Sequence, residues 1–164
     1  MLHHAIEKGH MNVLAVLQEH GIDMLSAIEI PDNAGRTPVF EAIDNHDDPE
    51  ILKLLTRSRK ENGFEAKVNI TNYNGQTPLF SAAREGNLDV VKCLLEDCDA
   101  KVDLAQGELF KEEHDDGEAH YESLEEKFFM EAYKNSMTPL HVAVILGYEE
   151  IVHYLIQRGA NPNL

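Results

Sequence analysis

Tryptophan is absent from this chain, and cysteine occurs only twice in 164 residues. Two thiols, Cys93 and Cys98, are too few for a disulfide framework. Five positions apart on or just after one helix, their Cα atoms are expected beyond the ~7 Å that a disulfide can bridge. Both are therefore read as reduced thiols, which suits an intracellular protein of the cytoplasm or nucleus. Basic residues are scarce as well: 14 Lys and Arg stand against 30 Asp and Glu, a formal charge of −16. Such a surface repels phosphate backbones, which argues against nucleic acid as a direct partner. It attracts another protein with a basic surface, mainly by speeding encounter; the same charge also serves solubility alone. No apolar run approaches the ~18 residues of a membrane span, so direct membrane insertion is not expected. The opening "MLHHAIEKGHMNVLAV" has no charged region followed by an apolar one, so no signal peptide is expected.

Catalytic signatures are missing too. The chain has no G-x-x-x-x-G-K-[ST], no G-x-S-x-G and no H-E-x-x-H. Neither cysteine belongs to a C-x-x-C pair, so zinc spacing is absent. The densest group of metal-binding side chains is "EEHDDGEAH", with His114 and His120 among five carboxylates. Six residues apart, these histidines would not face together on a helix, and the stretch reads as a solvated loop. No metal, no cofactor and no enzymatic activity are expected of these residues.

What the chain has instead is a repeated sentence. Thr37-Pro38, Thr77-Pro78 and Thr138-Pro139 stand 40 and 61 residues apart, followed by "VFEAIDNH", "LFSAAREG" and "LHVAVILG". Each then meets a second apolar block, "EILKLL", "DVVKCLL" or "EIVHYLI", and a headless copy opens the chain as "LHHAIEKGHMNVLAVLQEHG". Proline suits the first helical position, where its missing N–H costs nothing, and the threonine before it suits the N-cap. Ala5, Ala42, Ala82 and Ala143 keep the first helix thin. Gly9, Gly86 and Gly147 fall where the chain reverses between helices. Val90, Val91, Leu94 and Leu95 form an apolar stripe on the second helix. Helices this short are marginal alone, and stacking is what covers them.

These units resemble ankyrin repeats. The T-P-L-H-x-A signature stands as "TPLHVA" at 138–143 and as "TPLFSA" at 77–82. Gly35 and Gly75 match the family's turn glycine, and Gly159-Ala160-Asn161-Pro162-Asn163 matches its closing "GA-x-x-N". The resemblance covers roughly 1–24, 32–70, 71–104 and 135–164. It implies an all-α solenoid of stacked helix-turn-helix units joined by hairpin-like turns, a single array over 1–164. It further implies a non-enzymatic scaffold for protein–protein interaction. The alternative is a regulatory or targeting region of a larger enzyme or ion channel.

Carried over by position, the resemblance puts partner contacts at the turn tips and the outer side of each first helix. The tips are Asn33, Ala34 and Arg36; Tyr73, Asn74 and Gln76; and Asn135 and Met137. The helix positions are Glu7 and Lys8, Asp44 and Asn45, Arg84 and Glu85, and Ile145 and Leu146. Tyr73, a rigid aromatic on a turn, is the expected anchor.

The sequence also departs from the family. Phe40 and Phe80 replace the signature histidine, which His3 and His141 keep, so the ties that ring makes are in doubt in the two middle repeats. His46 replaces an inter-helix glycine and Cys98 sits near a closing one, so altered loops are expected at both. Arg57, Arg59, Lys60 and Lys67 form a basic cluster in a surplus of about seven residues over the family period. They read either as complements to a helix C-terminus or as a recognition patch. A larger surplus fills 105–134, with ten acids and three bases. Its first half reads as an acidic loop. Its second half carries a capping box, Ser123 with Glu126, and an apolar stripe of Leu124, Phe128, Phe129 and Tyr133. This insert helix either packs on the array, over Ile145 and Leu146, or meets a partner itself. Both ends resemble internal repeats, so the chain is expected to be a piece of a longer array, with neighbouring repeats of the parent chain as partners and exposed apolar surface at its ends.

Overall fold

The computed structural model describes residues 5, 6, 8–20, 30–45, 49–53, 55, 68–105 and 137–164. The described residues are helical, with turns between and no strand. In chain order the helices are α1 (Met11–Glu19), α2 (Pro38–Asn45), α3 (Pro78–Glu85), α4 (Leu88–Glu96), α5 (Pro139–Leu146) and α6 (Glu149–Gln157). Residues 5 and 6 are helical before α1, and residues 50–53 and 55 after α2.

The first helices α2, α3 and α5 begin where the sequence placed them. Thr77 caps α3, its hydroxyl accepting from Phe80 N–H at 3.1 Å, with Pro78 following. Thr138 caps α5 and closes a full capping box: His141 N–H donates to the threonine hydroxyl, and ring nitrogen Nδ1 of His141 accepts from Thr138 N–H at 3.2 Å. The histidine thus ties its own helix start. At α3 phenylalanine leaves the threonine cap alone. At α2 the Thr37 hydroxyl is buried with no hydrogen-bond partner among the described residues. Phe40 and Phe80 have no ring nitrogen with which to make such a bond; of the threonines before them, Thr77 keeps its cap bond and Thr37 does not.

The helices of eight or nine residues are held by one continuous apolar cluster. Leu52, Phe80, Leu79, Leu94, Ile151 and Leu155 are fully buried within it; burying each such side chain is worth about 1.5–3 kcal/mol. Helix α3 lies between α2 and α5, while α4 packs on α3 and α6 on α5. Helices α3 and α5 touch directly, so the long stretch between them in sequence does not part the stack. Ala82 and Ala83 of α3 are buried, small enough to let neighbouring backbones approach.

The reversal from α3 to α4 uses Gly86 at φ 76°, whose N–H donates back into α3, and Asn87 then caps α4 by accepting from Val90 N–H. Gly147 makes the same reversal at φ 74° before α6, whose N-cap Tyr148 gives no side-chain cap bond. The α4 end departs as expected near Cys98, although the left-handed residue is Asp99, φ 59°. Cys93 and Cys98 are both buried and in no disulfide, with sulfurs 4.0 Å apart. The sulfurs touch but are not bonded. The contact with Cys98 and burial push the Cys93 thiol upward, which leaves it protonated and a poor nucleophile.

The second helices are tied on their outer side. Tyr154 hydroxyl donates to Glu96 at 2.6 Å, and Arg158 lies 3.6 Å from the same carboxylate and 5.6 Å from the Tyr154 ring centre. Burial and the bond to Glu96 raise the Tyr154 phenol to about 12.

Two paired comparisons test this account by urea unfolding. Thr77→Ala is expected to cost about 1 kcal/mol, the loss of an N-cap, whereas Thr37→Ala removes an unpartnered hydroxyl and costs measurably less. Gly86→Ala and Gly147→Ala both strain a left-handed residue by about 1 kcal/mol. A Cβ on Gly86 would also meet the Tyr148 ring at 2.8 Å while one on Gly147 meets nothing within 4 Å, so Gly86→Ala is expected to cost clearly more.

Candidate interaction face

The turns before α2 and α3 are built alike. Asp32 Oδ1 accepts from the N–H groups of Ala34 and Arg36, both at 2.8 Å, and Asn72 Oδ1 accepts from those of Asn74 and Gln76, both at 3.0 Å. The chain closes each turn by an N–H to C=O bond from Asp32 to Arg36 and from Asn72 to Gln76. Tyr73 N–H then donates to Ala34 C=O at 3.0 Å, pinning one turn to the next. Asp and Asn take this role because a short side-chain acceptor mimics a backbone turn.

Arg36 reaches from the first turn in two directions, to Asp32 at 2.9 Å and to Asp44 on α2 at 2.9 Å. Burial works to raise the Asp32 carboxyl, but the N–H groups of Arg36 and Ala34 and the Arg36 guanidinium outweigh it and hold the group below its ordinary value. Asp44 moves the opposite way: burial raises it, with Glu85 adding, against the pull of Arg36 and Arg84. Helices α2 and α3 pack together, and their ends are near enough for Arg84 and Glu85 to act on Asp44. Arg84 and Glu85 pair with each other at 2.7 Å.

Asp44, Arg84 and Ile145 each stand seven residues after the Thr of their Thr-Pro pair, and none is in the core. They form one line across α2, α3 and α5. At its α5 end the line turns apolar, with Ile145 41% exposed, while Leu146 beside it is half-buried against the core. Tyr73 is 49% exposed. Its ring lies so close over Gly35, at φ 73°, that a Cβ there would sit 2.4 Å from it. Glycine is required at that position twice over.

Of the residues assigned to a partner, Asn33, Ala34, Asn74, Asp44 and Glu85 are exposed, and Arg36 and Arg84 partly so. Two assignments are corrected. Gln76 is buried, its side-chain oxygen accepting from Asn72 Nδ2 at 3.1 Å inside the turn. Met137 is buried in the core beside Thr138. Neither presents a side chain to a partner. Asn45 ends α2, but its side chain, like Glu7, Asn135 and the insert helix residues Leu124, Phe128, Phe129 and Tyr133, lies outside those described; so do His3, His46, the basic cluster at 57–67 and the acidic run. Sequence reasoning missed Asp32, which organises the first turn; its place three residues before Gly35, matching Asn72 before Gly75, was the available signal. Among the described residues no group of three or more His, Cys, Asp or Glu is placed to hold a metal. No helix among them is long and apolar enough to cross a membrane.

Comparison with known families matches "Ankyrin repeats (3 copies)" over residues 32–106, "Ankyrin repeat" over 135–164 and "Ankyrin repeats (many copies)" over 2–56. Among individual proteins, "Probable E3 ubiquitin-protein ligase XBOS33" of Oryza sativa subsp. japonica is 26% identical over 98% of this chain and 31% of its own length. "Protein fem-1 homolog C" of Homo sapiens is 39% identical over 42% of this chain and 11% of its own length. "B-cell lymphoma 3 protein homolog" of Mus musculus is 31% identical over 57% of this chain and 19% of its own length. The chain spans under a third of the length of each.

Asp32→Asn separates charge from turn geometry, because Asn72 performs the same turn with an amide. The folded pKa of Asp32 lies below its ordinary 3.8. Its charge therefore stabilises above that value, and the benefit is lost as pH falls through the folded value. Wild type is expected to exceed Asp32→Asn by no more than about 1 kcal/mol at pH 7, as for a partly exposed ion pair. The difference should shrink to nothing in acid, read by urea unfolding at stepped pH.

Proposed function

The chain belongs to the ankyrin repeat family, and from that premise we propose that these residues act as a non-enzymatic scaffold that binds another protein on the face lined by the turn tips and first helices. The observation that carries this is the line Asp44, Arg84 and Ile145. Three successive first helices leave the corresponding side chain out of the core on one side, where continuous contact with a partner is available. The flanking Tyr73 is already fixed over Gly35, so little side-chain freedom is lost when a partner covers it; aromatic anchors of this kind dominate binding energies.

The acidic balance favours a partner with a basic surface, and two buried thiols in no disulfide suit an intracellular setting. On this reading the whole array is one unit over 1–164, with 105–134 as an insertion, and it forms part of a longer polypeptide. A second reading is favoured by the relatives' names. The same scaffold is then a targeting or regulatory region of a larger enzyme whose chemistry lies outside these residues, as a relative named a ubiquitin-protein ligase and matched over 31% of its length suggests.

The test is capture from lysate by the full chain and by a variant carrying Asp44→Ala, Arg84→Ala and Ile145→Ala. All three sites lie outside the core, so the variant is expected to keep its circular dichroism and melting profile. Partners held by the face should fall at least about tenfold in recovery, the loss of one good contact of about 1.4 kcal/mol. Undiminished recovery of every partner by the folded variant rules the face out. Activity of the whole polypeptide with this variant then separates scaffold from regulatory region.

A further inference from the structure

Cys93 lies on α4 and Cys98 in the turn after it, both buried, with sulfurs 4.0 Å apart. That distance decides what chemistry the pair supports. A disulfide needs the sulfurs at about 2.0 Å and the Cα atoms within ~7 Å. Asp97 N–H still donates to Cys93 C=O at 2.9 Å, so the helix keeps its rise up to the residue before Cys98. Four helical steps of about 1.5 Å already set Cys93 and Asp97 about 6 Å apart along the axis. Cys98 stands one residue further along the chain, so a disulfide would require the backbone to move. A cation between the sulfurs would not. Two metal–thiolate bonds of about 2.3 Å span about 4.6 Å in a straight line, which a shift of about 0.3 Å by each sulfur provides.

The ligand set narrows the choice of cation. Zinc takes four ligands, and among the described residues no third His, Cys, Asp or Glu joins the pair. Pro49 C=O stands 3.9 Å from the Cys93 sulfur, but a carbonyl oxygen suits hard cations. Soft thiolates alone select cuprous copper, for which two ligands suffice. The geometry points to Cys93 and Cys98 as a two-coordinate site for cuprous ion, placed where α4 meets the chain at Pro49.

Binding breaks two S–H bonds and forms two S–Cu bonds; two protons leave to solvent and nothing is oxidised or reduced. The contact with Cys98 and burial are the main reasons the Cys93 thiol is pushed upward. Both suit the cation: the neighbouring sulfur becomes the second ligand, and burial keeps water from competing. The copper dithiolate carries one net negative charge. Lys53, paired with Glu50 at 3.0 Å, acts on Cys93 in the sense that favours negative sulfur, while Asp97 opposes it. Spacing along the sequence gave no metal site because it does not show that the two sulfurs meet. The site lies on a second helix and the turn after it, not on the line Asp44, Arg84 and Ile145, and does not rest on the function proposed for that line.

The test uses the full chain, reduced and under nitrogen, with both thiols first counted in urea by Ellman's reagent. Cuprous ion is supplied as its bicinchoninate complex, whose loss of colour should show one copper taken up per chain. Cys93→Ser and Cys98→Ser, each nearly isosteric and checked for folding by circular dichroism, should each lower that affinity at least about 100-fold. Loss of a mere supporting group costs about 10–100-fold. X-ray absorption at the copper edge should show two sulfur neighbours and no nitrogen or oxygen, and this reading of the unsubstituted chain decides even if a serine variant does not fold. No uptake against bicinchoninate overturns the proposal. So does uptake that survives both serine substitutions, which would place the copper on histidines, or nitrogen or oxygen bound to the metal. Zinc held by the unsubstituted chain and lost in both serine variants would overturn the assignment to cuprous ion.

Discussion

Each first helix in this protein has to be covered by the next one, and most other features follow from that requirement. A helix of eight residues has too few internal hydrogen bonds to persist alone, and here it also has little bulk. Ser81, Ala82 and Ala83 of α3 are all buried. Small side chains let α2 and α5 approach α3 from both sides, so dispersion and burial are gained across two contacts at once. The same thinness leaves no room to correct a poor approach with longer side chains. Alignment between units is therefore fixed by backbone ties at the edges: Tyr73 N–H to Ala34 C=O at the turns, and Lys101 N–H to Asn69 and Asn161 N–H to Asp103 behind the second helices. Aromatic rings laid on Gly35 and Gly86 serve the same end, because each needs a glycine opposite and fits at no other register.

This arrangement explains how a unit can follow another in space without following it closely in sequence. Asp103 and Asn161 are joined by a bond although 58 positions separate them, and α3 meets α5 as it meets α2. The ties that join α3–α4 to α5–α6 lie on both sides of the intervening residues, so those residues need only leave and return. Loop closure grows more costly by only about 0.6 kcal/mol per doubling of length. A few buried contacts between α3 and α5 outweigh that easily.

Most of the architecture could be read from sequence because it is set locally. Thr-Pro fixes a helix start, glycine fixes the reversal, and alanine marks the contact; α2, α3 and α5 begin at the three prolines as read. Exposure was harder, because it is decided by neighbours. Gln76 and Met137 occupy tip positions by count, but Gln76 turns inward to Asn72 and Met137 enters the core. Along "LHVAVILG" every residue but the histidine and the terminal glycine is apolar. Only the unit on either side determines that Val142 and Ala143 are buried while Val144 and Ile145 are exposed. The thiols show the same limit. Spacing spoke only to their Cα atoms and did not show that both sulfurs are buried together, 4.0 Å apart.

The proposed binding face carries its charges already engaged, and that shapes how it would work. Arg36 is held by Asp32 and Asp44, and Arg84 by Glu85. A partner that recruits any of these groups must replace an existing bond, so net affinity gained from them is small even where the new geometry is good. Their worth lies in discrimination: a partner of the wrong sign meets Asp44 and Glu85 and disrupts a satisfied network. Ile145 and Tyr73 offer apolar surface instead, partly held in place and partly open. Affinity is therefore expected to come from the apolar positions and selection from the charged ones. The two are arranged in sequence along the stack, from the charged end at α2 to the apolar end at α5, so a partner that satisfies both has to lie along it in one direction.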